Sequence, residues 1–119
     1  MTTYEQALEI VKVLDSKKAD DIKLFEITEC SPLCDYMIIA SGQSGTKVKA
    51  MADEVEYKLD EKGISVSHIE GHRSNTWILM DYVDIIVHIF SEEARNYYNL
   101  ERLWQDGKEI DLSKIITEN

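Results

Sequence analysis

The chain has 119 residues, 44% of them hydrophobic and 30% charged, and its 13 Lys and Arg stand against 23 Asp and Glu for a net charge of −10. That length builds one domain with its own core, and no apolar run approaches the roughly 20 residues that a membrane-spanning helix needs. The acidic balance disfavours direct nucleic-acid binding, which depends on cations displacing counterions from phosphate, and suits a basic protein partner that long-range attraction would steer inward.

The opening MTTYEQALEIVKVLD carries neither a basic n-region nor an apolar h-region. No secretory signal or membrane association is therefore expected, and the expected location is cytoplasmic. Cys30 and Cys34 flank Ser31-Pro32-Leu33, a loop too short for a disulfide to add much. They read as reduced thiols of a reducing compartment.

Tyr4, Ala7, Leu8, Val11 and Leu14 recur at three- and four-residue spacing, which predicts an amphipathic helix over 3–18 with Lys17 and Lys18 at its C-terminal dipole end. A strand is expected over 20–27, then a loop at Ser31-Pro32. The nearly continuous apolar run 35–41 reads as a strand buried on both faces. Val48, Met51, Ala52, Val55 and Leu59 predict a second helix over 46–62, stopped by Gly63. Alternation over 64–69 predicts a further strand, and 76–81 and 84–90 predict two more, joined at Tyr82-Val83. Ser91-Glu92-Glu93 reads as an N-cap with first-turn acids, opening a helix that carries Tyr97, Leu100, Leu103 and Trp104. The expected fold is α/β: a single mixed β-sheet of about five strands with flanking helices. The domain is expected to span 1–106, with 107–119 a peripheral tail.

Four motifs invite chemistry. Gly42-Gln43-Ser44-Gly45-Thr46-Lys47 lies between a strand and a helix, but only two residues separate its glycines and Thr precedes Lys, so it lacks P-loop spacing. It reads as a glycine turn with Ser44 or Thr46 as helix cap. His68, Glu70 and His72 would share one strand face, with the histidines about 13 Å apart at the usual rise, too far for one ion with bonds of about 2 Å. His88, within a central-strand pattern, reads as a hydrogen-bonded core residue. Asp81 and Asp84 tempt a two-metal reading, yet they stand three apart across a turn, where strand alternation sends them to opposite faces. No metal or other cofactor is expected. Trp77, Leu79 and Asp81 share one face of their strand. That face is either covered by a helix or left as an aromatic anchor beside acids, as at interface hot spots.

The run from Trp77 to Phe90, WILMDYVDIIVHIF, closely resembles the signature strand pair of the ribosomal silencing factor family, also called Iojap-like proteins. Lys18-Ala-Asp-Asp-Ile22, Asp35 to Gly42 with Ala50-Met-Ala-Asp-Glu54, and Arg95 to Trp104 agree in the same order. The resemblance implies a nucleotidyltransferase-like fold without transferase activity, so a protein that is not an enzyme. It implies a translational repressor that binds the fourteenth protein of the large ribosomal subunit, a basic protein at the intersubunit face, and sterically blocks joining of the small subunit. It also implies a homodimer when free. The partner-binding residues assigned from the matched motif are Trp77, Asp81, Tyr82 and Asp84, with Glu70 and His72 beside them. The alternative is a metal-dependent nucleotidyltransferase using Asp81 and Asp84. Where the family often has Gly between the hairpin Tyr and Asp, this chain has Val83, and a β-branched residue resists the positive φ of a tight turn. A wider turn is expected there.

Overall fold

The structure, a computed structural model, describes residues 1–28, 34–71, 75–98 and 107–116. Helix α1 (Thr3–Ser16) starts at a capping box, in which the Thr2 hydroxyl accepts the Glu5 N–H at 3.1 Å and Glu5 accepts the Thr2 N–H at 2.8 Å. Helix α2 (Gly45–Glu61) starts at Ser44, whose hydroxyl accepts the Lys47 N–H at 3.2 Å. Both helices end in the same way. Lys18 and Ala19 N–H groups return to Asp15 and Leu14 carbonyls, and Gly63 and Ile64 return to Asp60 and Leu59. Gly63 takes the left-handed position at φ +80° at the end of α2, while at the end of α1 a lysine does, Lys18 at φ +59°.

The strands are β1 (Asp20–Glu26), β2 (Tyr36–Gly42), β3 (His68–Glu70), β4 (Trp77–Asp81), β5 (Ile85–Ser91) and β6 (Lys108–Ile110). They form one sheet in the order β3-β4-β5-β2-β1-β6. Only β2 and β5 run parallel, in register from Tyr36 opposite Ile85 to Gly42 opposite Ser91. The apolar run of β2 is buried at every position after Tyr36, as expected of a central strand covered on both sides.

On one face, α1 and α2 close the main core. Ile10, Leu14, Met51, Val55 and Leu59 pack there on Leu24, Ile38, Ile78, Met80 and Val87. The second face carries a smaller cluster of Phe25, Ile27, Cys34, Met37, Ile39 and Phe90, with Ala94 of helix α3 (Glu92–Tyr98) against it. Ser91 caps α3 by accepting the Ala94 N–H at 3.2 Å. Arg95 of α3 is buried, with its guanidinium on the Asp21 carbonyl, 3.3 Å from the Ser41 hydroxyl and 3.2 Å from the Asp21 carboxylate. Asp21 sits at φ +49°, where the β1–β2 register shifts between Asp20 and Lys23. This bulge turns the backbone toward the cation, and the pairing offsets the desolvation that a buried charge demands.

Two expectations change, and a third falls partly outside the described residues. The sheet has six strands where about five were expected, because Lys108–Ile110 pairs along β1 and Leu112 behind it is buried. Residues 64–66, expected in a strand, carry none of its ladder, which begins with the Ser67 N–H on the Asp81 carbonyl at 2.7 Å, just before β3 starts at His68. The Ile64 N–H caps α2, and Ile64 and Val66 alternate because they pack on the main core. The third helix is described to residue 98, so Leu100, Leu103 and Trp104 lie outside the described residues.

Gly71, directly after β3, takes φ +93°, where an added Cβ would lie 1.9 Å from the Trp77 carbonyl oxygen. Gly63 has a similar φ, but a Cβ there meets nothing within 4 Å. Gly63→Ala should therefore cost only the left-handed backbone term, about 1 kcal/mol. Gly71→Ala should add a clash with a rigid strand and cost at least about 3 kcal/mol. Urea denaturation of the two variants measures the difference directly.

Candidate functional site

On the second face, the antiparallel pairing of β4 and β5 sets Trp77 opposite Phe90 and Leu79 opposite His88. Trp77 is thereby diagonal to His88, and its indole N–H donates to His88 Nδ1 at 3.0 Å. The Trp77 and Phe90 rings lie 5.0 Å apart, and His88 stacks on Phe90 at 6.0 Å. Trp77 is half-buried, so its face is neither sealed under a helix nor left bare. Part of the indole is fixed by this cluster and part is open.

His88 is 8% exposed, and burial pushes its imidazole down to about 4. Accepting at Nδ1 places its single proton on Nε2. It is a core histidine, as its strand pattern suggested, and it also fixes the ring of Trp77.

Beside this cluster a cavity of about 440 Å³ opens on the sheet. Among the described residues Ile27, Met37, Leu79 and Ile86 supply its apolar floor. His68, Glu70, Asp81 and Val83 stand around it. His68 Nε2 lies 3.0 Å from Glu70 Oε1 on the edge strand β3, and His68 pairs opposite Asp81. Cys34 also lines the cavity as a buried free thiol. Burial pushes that thiol up, and the nearby Asp35, Asp81 and Asp84 carboxylates push it further, so it is a poor nucleophile.

The hairpin tip corrects the expected wide turn. Val83 takes φ +77°, the Asp84 N–H donates to the Tyr82 carbonyl at 3.0 Å, and the Tyr82 N–H donates to the Ile85 carbonyl at 2.9 Å. This is a tight γ-turn of the strained kind. Asp81 holds it by accepting the Val83 N–H on Oδ1 at 2.7 Å. The Asp84 carbonyl accepts the Asp35 and Tyr36 N–H groups at 2.8 and 3.1 Å, which ties the tip to the start of β2. A charge-assisted bond contributes about 1.5–3 kcal/mol, enough to offset a strained φ costing about 1–3 kcal/mol.

The sequence-assigned residues divide accordingly. Glu70 and Asp81 line the cavity of the second face, and Trp77 stands on that face in the neighbouring His88–Phe90 cluster. Asp84 is exposed at the hairpin tip. Tyr82 is turned away, 7% exposed in the main core. Burial, then the Glu56 and Asp60 carboxylates of α2, push its hydroxyl up, and that hydroxyl has no hydrogen-bond partner among the described residues. His72 lies outside the described residues. Among the described residues no group of three or more His, Cys, Asp or Glu is placed to hold a metal ion. Sequence reasoning missed Val83 and Ile86 as lining residues. Their positions depend on the tight turn and the β4–β5 register.

A second cavity, of about 500 Å³, lies at the carboxyl end of β2, beside the start of α2. Lys18 and Lys47 line it, but so do Asp15, Asp20 and Asp21. The acids oppose the phosphate reading of the glycine turn, and Ser44 is occupied as the helix cap.

A family model described as ribosomal silencing factor during starvation matches residues 1–119. The chain belongs to this family. It is 33% identical to the ribosomal silencing factor RsfS of Halalkalibacterium halodurans, over 98% of this chain and 100% of that protein. The RsfS of Bacillus subtilis is 41% identical, over 82% of this chain and 83% of that protein. A crystal structure of a Chromobacterium violaceum protein superposes with a TM-score of 0.86 at 34% identity, covering 95% of this chain and 93% of that one. The fold seen there is thus the one described above, and the family name of this chain is that of a regulatory factor. No described helix is long and apolar enough to cross a membrane.

Because the His88 value is depressed from 6.5 to about 4, the unfolded chain binds its proton first as pH falls. The stability this neutral histidine contributes is complete above about pH 6.5 and is lost toward pH 4. Between pH 7.5 and 5.5 the loss should be about 1 kcal/mol, read from urea midpoints. His88→Gln, which keeps an acceptor for Trp77, should flatten that slope. In the main core, Tyr82→Phe should leave stability unchanged or raise it by up to about 1 kcal/mol, since it removes an unpaired buried hydroxyl.

Proposed function

We propose that the protein is a cytoplasmic translational repressor. In this reading it binds the large ribosomal subunit through its fourteenth protein, at the intersubunit face, and sterically blocks joining of the small subunit. The observation that carries the reading is the family match along the entire chain, with relatives named ribosomal silencing factor. The site geometry supports it. A steric blocker needs affinity and bulk rather than a reacting centre, and the second face offers a half-buried indole, an apolar cavity and the acids Glu70 and Asp81. A chain of net charge −10 suits a basic ribosomal protein by long-range attraction.

Trp77, Glu70, Asp81 and Asp84 are the proposed contacts, with His72 beside them. Tyr82 supports the hairpin from the core side. Asp81 contributes twice, since the carboxylate that faces the partner also holds the turn. When free, the protein is proposed to be a homodimer.

Sedimentation of purified ribosomal subunits tests the proposal. The protein should migrate with the large subunit and reduce the joined-ribosome peak when small subunits are added. Glu70→Lys changes an exposed rim residue and should weaken binding about five- to tenfold, with a shallower salt dependence, as expected for a charge contact. A protein that stays at the top of the gradient and leaves subunit joining unchanged refutes the reading.

A further inference from the structure

The cavity on the second face has a division of chemistry that names its occupant. Its base is buried and apolar, with Ile27 and Met37 at 0% and 1% exposure. Leu79 and Ile86 are half-buried on neighbouring strands and leave apolar surface open to the cavity. Above them stands Val83, an apolar side chain 62% exposed on a backbone of φ +77°. Glycine would occupy that turn without strain. A strained backbone that presents an exposed apolar side chain beside a cavity points to a use for the side chain. The edge beside this apolar floor is acidic, with Glu70 on β3 and Asp81 at the end of β4.

We propose that this cavity is the anchor pocket of the docking face. An apolar side chain of the basic partner inserts between Val83 and the Leu79–Ile86 floor, and a lysine or arginine of the same segment lies against Glu70 and Asp81. The proposal rests on the ribosomal reading above, in which the partner is a basic ribosomal protein, and adds the chemistry of the contact. Charge decides between that partner and a second copy. In a two-fold interface the same patch meets itself, so a copy seated here brings one acidic rim toward another on a surface of net charge −10. A basic segment turns the same rim into an attraction. Buried anchors surrounded by a polar rim are where interfaces concentrate their affinity.

Two full-length variants separate docking from folding. Val83→Gly removes the outer wall of the pocket and relieves the turn, so it should melt higher than the parent yet bind the large subunit about tenfold more weakly. Ile86→Phe fills the pocket from its floor and should bind at least tenfold more weakly, with an unchanged circular dichroism spectrum. Co-sedimentation of the parent and both variants with purified large subunits reads the effect. If the parent binds and Ile86→Phe binds equally well, the pocket assignment is overturned while the ribosomal reading stands. If the variants shift the dimer mass and leave subunit binding unchanged, the occupant is a second copy and the proposal is equally overturned. If the parent itself does not bind, both readings fall together.

Discussion

The parallel pairing of β2 with β5 is the constraint from which the rest follows. Its ladder runs seven residue pairs, from Tyr36–Ile85 to Gly42–Ser91. Parallel neighbours require a crossover, and here α2, β3 and β4 all lie within it. At the carboxyl end of the ladder the chain leaves both strands into helices, through the caps Ser44 and Ser91. At the other end, the Asp84 carbonyl binds the backbone of Asp35 and Tyr36 and so fixes the β4–β5 hairpin tip to the first residues of β2. The central strands need cover on both faces. α1 and α2 supply it on one side. On the other, the α3 contact and the Trp77–His88–Phe90 cluster cover one portion of the sheet, and the adjacent portion holds the cavity.

That asymmetry separates this site from the small-molecule crevice of open α/β sheets, which lies beyond the carboxyl ends of the strands. A crevice does exist there, beside Ser44 and Lys47, but three aspartates share it with its two lysines. The candidate docking cavity instead lies on the sheet face, toward the hairpin tip and Cys34. A face of this kind presents shape and charge to a macromolecule. Asp81 illustrates this, since one carboxylate oxygen holds the hairpin turn through the Val83 N–H while the residue lines the cavity on the sheet face.

Much of the fold was legible because the core-facing side chains repeat with the period of their element. The five apolar residues that predicted α2 are the five buried ones, and the run 35–41 marked the central strand. The misses share a cause: each depends on a partner distant in sequence. β6 is three residues, Lys-Glu-Ile, without alternation, and exists because β1 offers it an edge. Arg95 looks like a solvated helix charge until the bulge at Asp21 receives it. The alternation over 64–69 was read as one strand, but only its end, His68 and Ile69, joins β3; Ile64 and Val66 alternate because they pack on the core, which requires no ladder. At the site, Trp77 was legible by residue type. Its bond to His88 and the cavity floor of Leu79 and Ile86 required the strand register.

Val83 is where local and global rules conflict most directly. A rule about β-branched residues and positive φ predicted a wider turn, and the chain adopts the tight one. The rule is sound as an energy and fails as a geometry, because the positions on either side of Val83 are already decided. Tyr82 is held in the main core against α2, and the Asp84 carbonyl is held by the start of β2. Any widening of the loop would release one of those anchors. Burying the Tyr82 ring, about 1.5–3 kcal/mol for a large side chain, is of the same size as the cost of the turn, about 1–3 kcal/mol, and the Asp84 carbonyl bonds add to that burial. The hairpin is therefore stretched between two fixed points, and the Val83 side chain is pushed into solvent above the cavity. Strain at Val83 is the consequence of that geometry, and the exposure of an apolar group beside an acidic rim is what the geometry makes available for recognition.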